Sequence, residues 1–286
     1  MGTIAYNEKA ITTTYSNMLK DLKNNGFYDD EKKKNIPTFR MCGDIVLTPK
    51  MWEVMNSDFW LTDALVNSYI HAIQTMVPVN DNLTIHFSTD MSWINSIQRS
   101  RRYSKGFDII ELTRASELFY RKPFGLHILP TCDNTHWWMM VVDLTAKKIY
   151  SIDSMNSKRF DCALQVISII RLGLTKKLES GVTKNTRSTR STQNIEQKID
   201  ATIPTMDDWV YQQLPILDLF QQNDTYNCGV YLAAYITQLL TSDPNSFLNN
   251  EKYFSKSVIK NTKTSAFKFR RFMVAVLFEY IAKHGN

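Results

Sequence analysis

The sequence predicts an α+β fold, in which strands and helices mix without a regular β-α-β alternation. Short strands are predicted at 82–88 and 125–131 from their apolar, β-prone composition. A β-hairpin is predicted directly after them in THWWMMVVDLTAKKIYSIDSMN, where two apolar runs flank a polar turn. The rest of the ordered chain reads mainly as helix, which makes a sheet with attached helices the expected architecture.

Apolar residues at helical spacing predict the main helices of this domain. These helices are expected at 59–76, 162–178, 228–240 and 265–284. Two further short strands are expected in GDIVLTPK near residue 45 and in DDWVYQQLPI near residue 210. The chain therefore offers enough strands for one central sheet and enough helices to cover it.

The chain divides into an extension and one large domain. Residues 1–40 hold a single amphipathic helix candidate at 15–25 followed by a charged linker, and residues 41–286 are predicted to form the domain. Residues 178–203 are rich in Ser, Thr, Asn and charge, which is typical of a flexible insertion. With 286 residues and 43% hydrophobic composition, a sizeable core is expected.

Bulk properties exclude several classes of protein. No run approaches 18 apolar residues and the start has no signal-peptide pattern, so we expect an intracellular protein, nuclear or cytoplasmic, that is monomeric. Four irregularly spaced cysteines indicate reduced thiols. Cys132 and His136 have the spacing of half a metal site, but no second pair follows, so no metal or other cofactor is expected.

The formal charge of +6 permits binding to acidic partners, including nucleic acid. Much of the excess lies in short basic runs such as FKFRRF at 267–272. Such runs more often form solvated faces than reading surfaces. Nucleic acid is therefore a disfavoured partner.

The stretch QQNDTYNCGVYLAAYI places Cys228 where a polar loop meets an apolar helix. A thiol in the first turn of a helix lies near unpaired backbone N–H groups and the positive end of the helix dipole, which favours the thiolate. The alternative is a small buried residue that happens to begin the helix. Gly229 lets the backbone approach a neighbour or a substrate closely.

Five histidines are present, and His136 is the one best placed to act as a base, because it begins the first strand of the hairpin. If the hairpin turn is centred near Leu144 and Thr145, Asp153 lies opposite His136, with Cβ atoms roughly 4.5 to 5.5 Å apart. A carboxylate there would fix the tautomer and the orientation of the imidazole. The alternative is a hairpin with an incidental Asp at its edge.

Gln222 lies six residues before Cys228 in the polar loop. Its amide N–H can be aimed at the space near the thiol, which is what a developing oxyanion requires beside a backbone N–H. The alternative is a solvated loop residue.

Together these residues resemble the ubiquitin-like-protein proteases, the SUMO-specific (sentrin-specific) group with its deneddylase and adenovirus-endopeptidase relatives. The resemblance rests on His-Trp at the start of one strand, Asp-Ser at the end of the next, and Gln222 ahead of Cys-Gly at the helix entry. Upstream, a strand precedes Trp-Leu-x-Asp at 60–63. The resemblance spans about 43–281, and the extension and the insertion lie outside it.

The resemblance implies a papain-like or adenain-like cysteine protease fold, with a central mixed sheet and flanking helices. It implies Cys228 as nucleophile, His136 as general base and acid, and Asp153 as orienter. Gln222 and the Cys228 backbone N–H would form the oxyanion hole. Trp60 and Trp137 would clamp the Gly-Gly tail of the modifier, although core packing is the alternative for both indoles.

The resemblance further implies that Asp63 lies near the modifier surface, and that the modifier is SUMO, with NEDD8 and ubiquitin as alternatives. Asn227 departs from the SUMO-protease pattern, in which the residue before the nucleophile is usually Asp. Two other functions remain open on the same residues. One is acyl (acetyl) transfer by the same site, and the other is a non-catalytic scaffold that binds a modifier or nucleic acid.

Overall fold

The structure is a computed structural model. It describes residues 39–42, 45–47, 51, 54–55, 57–77, 81–87, 115–119, 121–133, 135–182, 208–214, 222, 224–241 and 263–284. Within these ranges the chain forms seven strands and four helices of defined extent. The strands are β1 (Phe39–Cys42), β2 (Ile45–Leu47), β3 (Leu83–Ile85), β4 (Leu126–Asp133), β5 (His136–Asp143), β6 (Lys148–Ile152) and β7 (Val210–Gln213). The helices are α1 (Asp63–Met76), α2 (Phe160–Val182), α3 (Cys228–Thr241) and α4 (Lys263–His284).

The central sheet has five strands in the order β3-β4-β5-β6-β7. Its two outer pairs, β3 with β4 and β6 with β7, are parallel, whereas β4, β5 and β6 run antiparallel. Strands β1 and β2 form a separate antiparallel ribbon. The predicted α+β class with a mixed sheet is confirmed.

Both faces of the sheet are buried, which explains why WWMMVV is apolar at every position. Successive side chains of a strand point to opposite faces. Trp137, Met139 and Val141 join the core formed with α1, α3 and α4. Trp138 and its alternate neighbours join the second core, against α2. The strand therefore holds the layer of three helices and the single helix on opposite sides of one sheet.

The hairpin has a longer turn than the sequence predicts. Residues 144–147 form the turn, and the pairing is Asp143 with Lys148 and Met139 with Ile152. The Asp143 carboxylate explains this length, because it accepts the N–H groups of residues 145 and 146 at 3.0 and 2.8 Å and so stabilises a wider loop.

The longer turn corrects the predicted register. Continuing the observed pairing sets Asp153 beside Trp138, two residues from the predicted partner His136. A shift of two residues preserves the face of the strand, whereas a shift of one reverses it. Asp153 and His136 therefore remain diagonal neighbours on one face.

Observed elements cross two of the predicted boundaries. Strand β1 begins at Phe39, so it crosses the division placed at residue 40. Helix α2 continues to Val182, so the first five residues of the predicted insertion 178–203 are helical. The predicted helix at 15–25 lies outside the described residues, and the division into extension and domain stays a prediction.

A buried pair of histidines joins β4 to the residue after β3. His127 Nε2 donates to the Lys122 carbonyl oxygen at 2.9 Å, so its Nδ1 is left to accept from His86 Nε2, also at 2.9 Å. Burial and the neighbouring imidazole lower the pKa of His86 to about 3. Burial lowers the pKa of His127 to about 4, although hydrogen bonds to backbone carbonyls oppose this. Both rings are therefore neutral in the folded protein at neutral pH.

This pair predicts a loss of stability in mild acid. Below pH 6.5 the unfolded chain takes up protons on residues 86 and 127 that the folded protein does not bind until about pH 4 to 3. The free energy of unfolding should therefore fall as pH drops below 6.5, by up to about 1.4 kcal/mol per pH unit for each imidazole. Urea unfolding at a series of pH values between 7 and 4.5 measures this slope.

The control is the double variant His86→Gln, His127→Gln. Its slope should be flatter, with a remainder from His71, whose pKa burial and His284 also lower. An unchanged slope in the double variant would show that other groups cause the acid sensitivity.

Candidate active site

Cys228 is the first residue of α3. The carbonyl of Asn227 accepts the N–H groups of Val230 and Tyr231 at 2.9 and 3.0 Å, so the thiol lies within the first helical turn, near N–H groups that the helix does not pair. The side chain is 2% exposed, and Sγ lies 3.7 Å from the carbonyl oxygen of Thr135. The predicted placement of a thiol at the positive end of a helix is therefore observed.

Gly229 allows α3 to pack closely beside the hairpin. A Cβ at this position would lie 3.1 Å from Leu61 Cβ and 3.1 Å from Trp137 Cδ1. Both distances are shorter than ordinary van der Waals contact, so a side chain here would push the helix away from β5. The glycine fixes the distance between the strand that carries His136 and the helix that carries Cys228.

His136 is the first residue of β5 and contacts both other members of the predicted triad. Its Nε2 lies 2.6 Å from Asp153 Oδ1, which leaves Nδ1 as the ring nitrogen available to the Cys228 thiol. Burial lowers the pKa of His136, but the hydrogen bonds and charges of Asp153 and Cys228 outweigh it and raise the pKa to about 9. At neutral pH the imidazole is therefore protonated and paired with two acidic groups.

Asp153 follows β6 and is 3% exposed. Burial raises its pKa, but the bonds to His136, the charge of Arg159 and the Met155 backbone N–H together bring the pKa below its ordinary value. The carboxylate thus remains ionised inside the protein, where it can orient the imidazole. The structure brings together His136, Asp153 and Cys228, as the sequence predicts.

Arg159, just before α2, is a neighbour of the triad that sequence reasoning missed. Its Nε and Nη2 donate to Asp153 Oδ2 at 3.0 and 2.9 Å. The residue follows a loop of ordinary composition, and only the folded position of α2 brings it to the carboxylate.

Gln222 is buried beside the triad, but its amide N–H groups donate to Asp224. Its Oε1 accepts from Ser154 Oγ at 2.9 Å, next to Asp153. Its Nε2 donates to the backbone carbonyl of Asp224 at 2.7 Å and to the Asp224 carboxylate at 3.1 Å. The predicted oxyanion donor is therefore close to the site, with its N–H groups directed into the loop that precedes α3.

Asn227 has a defined role in this loop. Its Nδ2 donates to Asp224 Oδ2 at 2.8 Å, and its Oδ1 accepts from Arg270 Nε at 2.9 Å. The Asp224 carboxylate also accepts the backbone N–H groups of Tyr226 and Asn227. Position 227 itself carries no negative charge, but Asp224, three residues earlier, does. The Asn227 amide links the Asp224 carboxylate to the Arg270 guanidinium.

Arg270 corrects the expectation that FKFRRF at 267–272 is solvated. The side chain is 1% exposed, because it lies on the face of α4 that also buries Phe269 and Met273. Its guanidinium donates to the carbonyls of Val54 and Phe59 at 3.0 and 2.6 Å as well as to Asn227. Burial lowers its pKa to about 10, a change that nearby acidic groups oppose, so it remains charged at neutral pH.

A cleft of about 980 Å³ borders the loop that precedes α3, where Thr225 and Tyr226 line it. Trp60, Asp63, Thr135 and Trp137 are among its lining residues, so all three predicted substrate-binding residues border one space. Trp60 is 48% exposed, and its Nε1 donates to the Thr225 carbonyl at 2.7 Å. Thr135, which lines the cleft, is also the residue whose carbonyl oxygen lies 3.7 Å from Cys228 Sγ.

The two indoles of this cleft differ in environment. Trp137 is 2% exposed and belongs to the core, and its Nε1 donates to the Leu61 carbonyl at 3.0 Å. Trp60 is the exposed wall of the cleft, and Trp137 is the buried one. Asp63 begins α1 behind the N-cap Thr62, and burial raises its pKa although its own backbone N–H opposes this.

The site has a thiol at a helix N-terminus, an imidazole beside it and a buried carboxylate behind the imidazole, all set on a mixed sheet. This arrangement defines a cysteine-type peptidase. The family model described as "Ulp1 protease family, C-terminal catalytic domain" matches residues 60–271. The chain therefore belongs to the Ulp1 protease family and is a ubiquitin-like-protein cysteine protease. This confirms the predicted class of enzyme.

Two solved structures show that other proteins share this fold. One is described as the SUMO protease Ulp1 with its catalytic cysteine oxidized to a sulfenic acid. It is 13% identical, covers 98% of each chain and has a TM-score of 0.50. A second, described as a de-sumoylating protease, is 15% identical and covers 86% of this chain and 94% of its own, also with a TM-score of 0.50. Among curated protein sequences, none matches.

Proposed function

We propose that this protease hydrolyses the peptide or isopeptide bond after the C-terminal Gly-Gly of SUMO, with Cys228 as its nucleophile. The observation that carries the proposal is the contact of His136 with both Asp153, at 2.6 Å, and the Cys228 thiol. An imidazole held in this way can serve as the base that activates a neighbouring thiol for nucleophilic attack. The SUMO proteases of similar fold support the choice of modifier.

The first step is attack of the Cys228 thiolate on the carbonyl carbon of the last glycine. The developing oxyanion is stabilised by the backbone N–H of Cys228 at the N-terminus of α3. A second donor comes from Gln222, and each such donor is worth about 3 to 4 kcal/mol in the transition state. Because Gln222 now donates to Asp224, its amide must turn from that residue toward the oxyanion when substrate binds.

His136 completes both halves of the reaction. Its raised pKa keeps it protonated at neutral pH, so it donates a proton to the leaving amine, a lysine ε-amine or an α-amine. The neutral imidazole then takes a proton from water, which hydrolyses the thioester and releases the modifier. Asp153 holds the ring with Nε2 toward itself and Nδ1 toward the thiol throughout.

The cleft accounts for selectivity toward a glycine tail. Trp60 and Trp137 both line it, and a narrow aromatic slot between them would admit glycine backbone while excluding residues that carry side chains. We place Asp63 at the edge of this slot, where it faces the surface of the modifier. No metal or organic cofactor enters these steps.

The partners and setting of the enzyme are inferred from this chemistry. Its partners are SUMO and SUMO conjugates, with NEDD8 or ubiquitin as the competing modifiers, and we infer a monomer that acts in the nucleus or the cytoplasm. Among the described residues, no helix is long and apolar enough to cross a membrane. The net charge of +6 does not by itself make nucleic acid a partner.

Covalent probes made from SUMO, NEDD8 and ubiquitin test both the nucleophile and the modifier. Each probe carries a thiol-reactive group in place of the scissile carbonyl, and labelling is followed as a shift on a gel. We expect the SUMO probe to label wild-type protein fastest and the Cys228→Ala variant not at all. The variant Cys162→Ala, altered in the second core, should label like wild type.

Two results would contradict the proposal in different ways. Faster labelling by the NEDD8 or ubiquitin probe would show that SUMO is not the preferred modifier, while leaving Cys228 as the nucleophile. Labelling of Cys228→Ala at the wild-type rate would remove Cys228 as the nucleophile.

A further inference from the structure

The two oxygens of the Asp153 carboxylate have separate partners. Oδ1 accepts from His136 Nε2 at 2.6 Å and from the Met155 backbone N–H at 2.8 Å. Oδ2 accepts only side-chain donors among its described contacts, Nε and Nη2 of Arg159 at 3.0 and 2.9 Å. The arginine therefore determines which way the second oxygen points, and with it the plane of the carboxylate that meets the imidazole.

Arg159 is itself held on several sides. Its guanidinium carbon lies 4.4 Å from the centre of the Trp138 ring, and its Nη1 lies 3.4 Å from Asp133 Oδ2. Its backbone N–H donates to the Tyr211 hydroxyl at 3.3 Å. Because the side chain is only 11% exposed, these contacts leave the guanidinium little freedom to turn.

These contacts connect the separate segments that carry the triad. Asp133 is the register partner of His136 across the turn between β4 and β5, and Asp153 follows β6. Trp138 lies on the face of β5 opposite to the neighbouring Trp137. One guanidinium thus fixes the turn where His136 begins and the carboxylate that His136 contacts.

The charges around His136 form an alternating series. Asp153 and Cys228 favour its protonated form, Arg159 compensates the charge of Asp153, and Asp133 pairs with Arg159. Removal of the guanidinium would leave the carboxylate uncompensated beside the imidazole. It would also leave a buried acceptor without its donors.

We propose that Arg159 is a positioning residue for the proposed reaction, which holds the Asp153 carboxylate in the plane that aims His136 at Cys228. This inference rests on the proposed function, because it assigns a role within the same site. It requires the planar fork of arginine, since two parallel donors and a stacked face act together. A lysine ammonium supplies the charge but neither the fork nor the stacking.

The test compares Arg159→Met, Arg159→Lys and the control Arg171→Met. Arg171 is on α2 and pairs with the exposed Asp208 at 2.9 Å, away from the triad. Turnover of a modifier-derived fluorogenic substrate is measured per active site, after titration with the covalent probe. We expect kcat to fall about ten- to a hundredfold in both Arg159 variants, as when groups that orient a catalytic ligand are removed, with KM within about twofold. The control should match wild type.

A second measurement needs no substrate and separates positioning from stability. In protein with ¹⁵N-labelled histidine, the His136 ring is titrated by NMR and assigned with a His136→Gln variant. Arg159→Met should raise the pH at which His136 titrates, because a compensating positive charge is gone. Arg159→Lys should titrate close to wild type while still turning over slowly, since it keeps the charge and loses the fork.

Several outcomes would overturn the inference. These are wild-type kcat per active site in both variants, a loss confined to KM, an unchanged His136 titration in Arg159→Met, or full turnover in Arg159→Lys. If Arg159→Met does not fold, the kcat of Arg159→Lys decides alone. If no modifier is cleaved by any form of the protein, the proposed function fails, and the titration still reports whether Arg159 acts on His136.

Discussion

Replacing Cys228 with alanine should lower kcat by about 10⁶-fold, which is typical when the nucleophile of a protease triad is removed. No other described residue can form the thioester at this position. The substitution removes one buried sulfur atom from a residue that is 2% exposed, so the free energy of unfolding should change by only about 1 kcal/mol. Cleavage of a SUMO fusion and a thermal melt measure the two effects.

Binding of the modifier should survive in the same variant, because the cleft beside Trp60 and Trp137 does not use the thiol to hold its shape. Calorimetry with SUMO measures this affinity. The matched control is Cys162→Ala, which alters a buried thiol in the other core and should leave kcat unchanged. Substantial turnover in Cys228→Ala would remove the assigned nucleophile, whatever the binding result.

The second large effect is expected for Asp153→Asn. The amide keeps the size of the carboxylate but can present N–H to His136, which favours the wrong tautomer of the ring. In a serine protease triad the equivalent change costs about 10⁴-fold in kcat, and we expect a loss of that order here. The control Asp208→Asn removes an exposed carboxylate paired with Lys147 and Arg171, so it should leave kcat unaffected.

The pH profile of Asp153→Asn supplies a separate readout. The His136 pKa is raised to about 9, so the imidazolium is lost, and activity with it, as pH rises through about 9. Without the carboxylate this alkaline limb should move to lower pH. The stability that His136 gains from its partners is complete below pH 6.5 and is lost toward pH 9, so unfolding of wild type in alkali should follow the same limb. An alkaline limb that stays in place would contradict the role of Asp153.

Periodicity predicted the elements that carry the site. The continuous apolar run of β5, the helical spacing of α1 and α3, and the polar loop before Cys228 are local features of sequence, and each was confirmed. The hairpin register was wrong by two residues, because the Asp143 carboxylate stabilises a longer turn. Because the register was wrong by an even number of residues, His136 and Asp153 still lie on one face of the sheet.

The residues that support the site could not be predicted in this way. Arg270 occupies a stretch that reads as solvated, yet its side chain is buried, and Arg159 follows a loop of ordinary composition, yet its side chain is only 11% exposed. Whether an arginine is buried depends on which acceptors the fold brings around it, and the acceptors of Arg270 come from segments distant in sequence. Asp224 was likewise read as loop, because its carboxylate acquires partners only when the chain before α3 turns back on itself.

The Arg270 guanidinium connects the loop before Cys228 to α4, a helix that follows all of the site residues in the chain. Arg270 lies 43 residues after Asn227, and it joins the loop before Cys228 to the backbone just before Trp60. A fragment that ends before Lys263 would hold every member of the triad and both indoles, but the carbonyls of Val54 and Phe59 would lose their donor. The catalytic groups are therefore all present in the growing chain before α4 is made, and only α4 adds the guanidinium that ties the loop before Cys228 to the wall of the cleft.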